Sequence, residues 1–353
     1  MKKRFLGVLL MSMLKLHAQE NSRYIGGMLS YGNVILHSQE LRPIGQSFPL
    51  GITVDYGTHK NSQKAWDACN CYPRAGVAIS FWDFDNREVL GYGLTGMYYI
   101  QPVFGARNRL SFSLRAAAGI SYLSRPYDEE SNPDNLSYST HLAIPLQLGL
   151  AAHFKLNPQW TLDLQGVLNH LSNGGLKEPN KGINWPTLSL GVSRYFKTPE
   201  FKDRTRNDWH ETVNELDRFD LTTFTTYHSP NSGKYVFSWG LEGKYLRRIS
   251  RLSNLSVGSA YFFDNQRAKT NLDGVEVSGH GLGVAIGHEF VLGRILFAQQ
   301  FAAYLLKPAS QKNDVYQRYT LVYRINERIN AGVGLKSHGH VADFGDFRVG
   351  MNF

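Results

Sequence analysis

From Leu110 onward the chain alternates. Leu110, Phe112, Leu114, Ala116, Ala118, Ile120 and Tyr122 share one parity, while Ser111, Ser113, Arg115, Ala117, Gly119 and Ser121 hold the other. Successive side chains of a strand point to opposite faces, so this stretch reads as a strand with one apolar face and one polar or small face. It runs for about a dozen residues, enough to cross a bilayer at a tilt. Similar runs fall near 138–154, 159–171, 185–197, 233–247, 254–263, 277–291, 293–306, 315–326, 328–338 and 342–353. Weaker ones cover 23–37, 48–57, 75–84 and 89–102, and 218–228 reads as one more, giving roughly sixteen strands.

Strands that face lipid must close on themselves, because an open edge leaves backbone N–H and C=O groups without partners. The expected fold is therefore all-β, a transmembrane antiparallel up-and-down β-barrel. A mean hydropathy of −0.31 does not contradict this, since lipid-facing and lumen-facing residues cancel in the average. No apolar run of the mature chain reaches the ~18 residues of a membrane-spanning helix. Composition agrees: aromatics make up 13% of the residues, with 19 Tyr and 20 Phe, and Gly numbers 34 of 353. Aromatic girdles and glycine-rich strands both produce that bias.

The N-terminus sets the compartment. Lys2, Lys3 and Arg4 precede an apolar stretch at 5–14, and His17-Ala18-Gln19 offers a small residue at a cleavage point. This reads as a secretory signal peptide over residues 1–18. The formal charge is +9, and losing Lys2, Lys3, Arg4 and Lys15 leaves +5. That excess suits a phosphate-rich lipid surface, whereas nucleic acid is a poor partner for an exported chain without a dense basic cluster. Cys69 and Cys71 are too few for a disulfide scaffold or a zinc site. They read either as a bridge within a loop or as two unpaired thiols.

Short turns such as Lys155-Leu156-Asn157-Pro158 and Leu292-Gly293-Arg294 are expected on the periplasmic side. The longer polar loops near 123–137, 172–184 and 264–275 are expected outside the cell. Segment 58–74 fits badly, because this order makes a long segment periplasmic. Residues 197–217 are dense in charge and lack alternation, which divides the chain in two. One half ends on Phe196 and the other on Phe353, as the closing strands of barrels do. The expected organisation is a barrel unit at 19–197, a polar linker at 198–217 and a second barrel unit at 218–353 without a visible active site. Small lumen-facing residues (Ser111, Ser113, Ala117 and Gly119; Ser256, Gly258 and Ala260; Gly281, Gly283, Ala285 and Gly287) favour two eight-stranded barrels over one wide barrel of 14–16 strands.

Chemistry concentrates at one strand end. Leu162, Leu164, Gly166 and Leu168 form a lipid-facing parity that runs on into His170 and Ser172. Residues two apart on a strand point the same way, so a His there is placed to activate a Ser as nucleophile. In the next strand Leu188, Leu190 and Val192 share their parity with Asn184, with Arg194 as an exception. The segment between them is rich in Gly and Asn, whose backbone N–H groups and amides are the donors that an oxyanion needs. Read from spacing alone, a His and a Ser at a strand end are ordinary rim residues; their lipid-facing parity argues for more, since polar groups are kept off that surface.

His170-Leu171-Ser172-Asn173-Gly174-Gly175, followed by Pro179-Asn180-Lys181-Gly182-Ile183-Asn184, resembles the signature of the lipid A 3-O-deacylase (acyloxyacyl hydrolase-like) family of Gram-negative outer membranes. The resemblance covers about residues 21–197. It implies an eight-stranded barrel with a Ser-His-Glu triad on its outer surface, releasing an ester-linked acyl chain from lipid A without metal or cofactor. By that match Ser172 is the nucleophile, His170 the general base and Asn180 an oxyanion donor, with Asn173 and the Gly174 amide bordering the site. The acidic member falls at Asn184, whose amide oxygen can orient a His but stabilises an imidazolium less than a carboxylate does. Glu178 is an alternative acid.

Other candidates are weaker. His338 and His340 share a lumen-facing parity and read as a solvated pair before a metal site. His228-Ser229-Pro230-Asn231 echoes the motif at a turn, where Pro230 spoils strand pairing. The implied partners are lipid A and the outer-membrane bilayer, with a homodimer left open by the sequence. Two rival functions remain at this level: a catalytically degenerate barrel with a structural, assembly or binding role, and a passive pore.

Overall fold

The computed structural model describes residues 21–205, 208–212, 216–228, 236–265, 278–309, 311–339 and 341–353. The expected signal peptide, most of the loop expected at 264–275, Ser229-Pro230-Asn231 and His340 lie outside them. The described residues form two compact units, each centred on a barrel.

The first barrel contains β1 (Asn21–Gly32), β2 (Leu50–Lys60), β3 (Arg74–Asp83), β4 (Tyr92–Gln101), a two-residue β5 (Val103–Phe104), β6 (Leu110–Leu123), β7 (Leu142–Lys155), β8 (Trp160–Ser172) and β9 (Ile183–Tyr195). The long strands pair in chain order, with β4 on β6, and β9 returns to β1 from Tyr24 opposite Tyr195 to Gly32 opposite Thr187. The second contains β10 (Asp217–His228), β11 (Val236–Ser250), β12 (Ser253–Phe263), β13 (His280–Leu292), β14 (Ile295–Leu306), β15 (Val315–Arg324), β16 (Ile329–His338) and β17 (Val341–Asn352). It closes where β17 returns to β10, with Asp220 opposite Asn352 and Thr225 opposite Phe347. Each is an antiparallel ring of eight long strands, so the single wide barrel is excluded.

Both barrels are inside out relative to a water-soluble protein. On the first, Leu29, Ile52, Ile79, Ile120, Leu148 and Leu188 stand exposed on the outer wall. The lumen is polar. Ser30 meets Ser189 at 2.7 Å, Thr53 meets Ser80 at 2.8 Å, and Thr95 meets Ser121 at 2.8 Å. Arg115 donates two bonds to Asp55, at 2.7 and 3.0 Å, with its guanidinium over the Tyr99 ring. An apolar band of this extent around a polar interior needs lipid on its outside.

The second lumen departs from the sequence reading, which emphasised small inward residues. It holds charges in paired groups: Arg348 pairs with Glu242 and Asp346 at 2.6 Å each and Arg318 with Asp346 at 3.2 Å, while Arg218 pairs with Glu289 at 2.9 Å. Lys336 is fully buried between the rings of Phe262, Tyr304, Tyr316 and Phe344 and pairs with Asp343 at 3.0 Å. The small residues make room for these long ones. A Cβ at Gly283 would sit 2.5 Å from the Tyr316 hydroxyl, and one at Gly334 would sit 2.5 Å from both Asp346 and Arg348. Long side chains reaching in from a neighbouring strand need glycine beside them, as Lys244 does opposite Gly258, so scarcity of bulk on β12 and β13 did not mean scarcity of charge.

The awkward segment after β2 is a built element. Ser62 caps a short helix, Gln63–Cys69, which ends at Asn70 in the left-handed conformation. Cys69 and Cys71 are joined in a disulfide, which decides between the two readings of that pair. The first residues of the expected linker pack beneath the same barrel. Tyr72 donates to the Lys202 carbonyl at 2.6 Å, Asn61 to the Glu200 carbonyl at 2.8 Å, and Phe201 lies against His59 and Tyr72. The long segment therefore caps a barrel end, and the strand order that made it look misplaced is correct.

Candidate active site

β8 and β9 run side by side, with His170 directly opposite Asn184 and Leu171 opposite Ile183. Asn169 and Leu171 are buried toward the interior, and His170 and Ser172 continue the outward parity of Leu162, Leu164 and Leu168. Asn184 takes the outward parity of β9, ahead of Leu188 and Leu190.

His170 Nδ1 lies 2.7 Å from Asn184 Oδ1. An amide oxygen only accepts, so Nδ1 carries the hydrogen and donates it. The lone pair is then on Nε2, the nitrogen left for general-base work. Asn184 Nδ2 in turn donates to His37 Nδ1 at 3.3 Å. The chain after β1 brings His37 there, with Ile35 N–H on the Asn184 carbonyl at 2.8 Å and Asn33 N–H on the Pro186 carbonyl at 3.4 Å. The sequence reading missed His37. Barrel closure supplies the signal that could have found it, because the segment leaving the first strand must emerge beside the last one.

Beyond Ser172 the loop is organised by Asn173, which is fully buried. Its Nδ2 donates to the Lys177 carbonyl at 2.6 Å and to Ser139 Oγ at 3.2 Å. Its Oδ1 accepts from Gly175 N–H at 3.0 Å and Leu176 N–H at 3.1 Å. The Asn173 N–H donates to Asn180 Oδ1 at 2.8 Å. Asn173 thus acts as the internal wedge of the loop, and Asn180 has its oxygen fixed on it. Gly174 adopts a φ of +70°, a left-handed turn that favours glycine. Glu178 accepts from the Asn180 N–H at 2.9 Å, while Asn184 holds His170.

A second Ser–His–Asp chain lies in the first lumen, unforeseen from sequence. Ser113 Oγ is 2.8 Å from His153 Nε2, and His153 Nδ1 is 2.5 Å from Asp163 Oδ1. All three are buried, and Asp163 is also within 3.7 Å of Arg74 and hydrogen-bonded to Ser193. With no exposed face toward lipid, this chain satisfies the polar filling of the barrel.

In the second unit His338 stacks on Tyr304, bonds to its hydroxyl at 3.1 Å and to Gln311, and lies 3.7 Å from Asp343. A register shift between Lys336 and Ser337 buries both of those residues and ends the simple parity on which the His338–His340 reading relied.

Two family profiles match the chain, Lipid A 3-O-deacylase (PagL) over residues 49–193 and the C-terminal domain of acyloxyacyl hydrolase over residues 217–353. Together they take in most of its length. The chain belongs to the lipid A 3-O-deacylase family. No curated protein matches it. Among solved structures it is similar to Neisserial surface protein A, at 12% identity and a TM-score of 0.33, over 49% of this chain and 97% of that one. It is also similar to a mutant Rh. blastica porin, at 10% identity and a TM-score of 0.21, over 94% of this chain and 100% of that one. The architecture rests on the strand pairings and not on these likenesses. As a lipid A 3-O-deacylase family member with lipid-facing barrel walls, the chain is a protein of the bacterial outer membrane.

Proposed function

We propose that this protein is an outer-membrane serine esterase that removes an ester-linked acyl chain from lipid A, with its site at the extracellular side facing the outer leaflet. The observation that carries the reading is the His170–Asn184 pair on the outer wall, at the end of a strand that goes on to Ser172. Ser172 Oγ attacks the ester carbonyl as His170 Nε2 takes its proton. The tetrahedral oxyanion collapses, the C–O bond breaks, and His170 returns the proton to the leaving alcohol. Water, deprotonated by the same nitrogen, then releases the fatty acid from the acyl-serine. Gly174 N–H and Asn180 Nδ2 are the proposed oxyanion donors; with Asn180 Oδ1 held on Asn173, its amide hydrogens point away from that bond. Asn173 shapes the loop that carries them. Metal and cofactor have no step in this scheme.

Lipid A extracted from cells carrying the wild-type chain, or its Ser172→Ala variant, is compared by mass spectrometry. Loss of one 3-O-linked acyl chain with the wild type alone supports the reading, and identical profiles end it. The amide at Asn184 favours one second reading, a degenerate barrel that binds lipid A without hydrolysing it. That reading expects identical profiles together with retained lipid A binding.

A further inference from the structure

We propose that Arg23 and Arg194 bind the phosphodiester of an anionic, amine-free phospholipid such as phosphatidylglycerol, on the lipid-facing wall of the first barrel at the end away from His170. The site goes beyond the deacylase reading and takes from it only the orientation, which assigns this lipid to the inner leaflet. Arg194 breaks the apolar parity of β9. It is exposed on the outer wall, directly opposite Trp160 on one side and Ile25 on the other. Arg23 is exposed on the same face of β1, two residues before Ile25. It is therefore the diagonal neighbour of Arg194, at about 7–8 Å between Cα atoms. At that spacing two guanidiniums reach one phosphodiester, whose oxygens match their forked donors.

The surroundings fit a lipid. The short turn before β8 holds Trp160, with Asn157 Oδ1 accepting from the Gln159 and Trp160 N–H groups at 2.9 Å each. The Arg194 guanidinium lies 5.7 Å from the centre of the Trp160 ring. Tyr56 stands opposite Ile25 and meets Phe196 edge-on, so interfacial aromatics frame the pair. Among the described residues no carboxylate pairs with Arg23 or Arg194. Their counter-charge comes from the lipid. An ethanolamine headgroup would bring an amine with no acid beside it to receive it, which favours a headgroup without one. Beyond Ile25 the wall opens. Gly27 faces outward between Val192 and Val54, and a Cβ there would meet no atom within 4 Å. A lipid held by its phosphate at the arginines lays its first methylenes in that gap.

The test is native mass spectrometry of the full-length, detergent-folded protein, offered phosphatidylglycerol and phosphatidylethanolamine with the same acyl chains. The wild type is expected to retain phosphatidylglycerol in preference. Arg23→Gln and Arg194→Gln should each weaken that retention about fivefold, and the double variant should abolish the preference. Gly27→Phe, which fills the gap without changing charge, should also weaken it several-fold. Arg247→Gln removes the same charge from an arginine already paired with Asp217 on the second barrel, and should have no effect. Folding is checked for every variant by the mobility shift of unheated samples on gels. If the double variant does not fold, the single variants and Gly27→Phe carry the test. Equal retention of the two lipids by the wild type would overturn the proposal. So would a preference that survives the arginine substitutions, or a loss as large in Arg247→Gln. Full displacement of phosphatidylglycerol by inorganic phosphate, or undiminished retention by Gly27→Phe, would show a phosphate site and not a lipid site, and would overturn it too. The readout counts bound lipid and not released acyl chains, so identical lipid A profiles from wild type and Ser172→Ala would end the deacylase reading without touching this result.

Discussion

His170 and Asn184 face each other across β8 and β9 as direct cross-strand partners, Nδ1 to Oδ1 at 2.7 Å, on the outward side of both strands. The pair defines the tautomer of the imidazole but does not stabilise its cation as a carboxylate would. Asn184→Asp is therefore expected to raise the rate of acyl release several-fold. Asn184→Ala should lower it by roughly 10²-fold or more, because the ring loses both its tautomer bias and its orientation. Steady-state assays on purified lipid A decide this, and an Asn184→Asp enzyme slower than Asn184→Ala would contradict the assigned role.

Asn173 makes a different prediction. Its side chain satisfies the Lys177 carbonyl, Ser139 Oγ and the N–H groups of Gly175 and Leu176. Asn173→Ala leaves buried polar groups without partners, each costing about 1–3 kcal/mol. The barrel hydrogen bonds are untouched. Amide exchange should speed up over residues 173–182 while strands β1–β9 keep their protection, and acyl release should fall with the loop. Uniform loss of protection along the strands would instead make Asn173 a determinant of the whole barrel.

These features differ in how far the sequence discloses them. Outward parity is legible because lipid imposes the same demand on every strand, so Leu162 to Ser172 and Asn184 to Leu190 could be placed on the outer wall without knowing their neighbours. Lumen contacts follow no such local rule. Glu242 and Arg348 are 106 residues apart and meet only because the ring closes. The same is true of His37 and Asn184, 147 apart, which the pairing of β1 with β9 brings to one rim. The inward glycines are legible as small, but that they lie beside long charged side chains depends on the pairing register, which sets Gly334 opposite Asp346 and Gly258 opposite Lys244. Asn173 reads as a donor beside the nucleophile, and only the fold of the loop shows that its amide is spent inside it.

The Arg115–Asp55 pair tests what holds the first lumen together. Both groups are buried, and the bond is bidentate. Removing one partner strands a buried charge, so Asp55→Ala is expected to destabilise by about 3–5 kcal/mol. Replacing both with apolar residues of similar volume, Asp55→Leu with Arg115→Met, should come close to wild type. Urea unfolding in detergent, followed by tryptophan fluorescence, gives the three midpoints. A double variant as unstable as the single one would mean that the pair itself supplies net stability.

The outer wall offers a direct test of where the first barrel meets lipid. Leu148 lies midway along β7 on the outward face, and Leu142 lies on the same face at the strand's start. A charge on the lipid face costs more the deeper it sits: about 2–4 kcal/mol for Arg at the midplane, falling to about 0–1 near the interface. Leu148→Arg should therefore be markedly harder to fold into phosphatidylcholine vesicles than Leu142→Arg, and in water-compatible amphipols the gap should narrow. Unfolding free energies in vesicles measure it. Equal costs at the two positions would mean that the wall from Leu142 to Leu148 does not cross from the interface into the hydrocarbon, and the membrane placement of β7 would have to be redrawn.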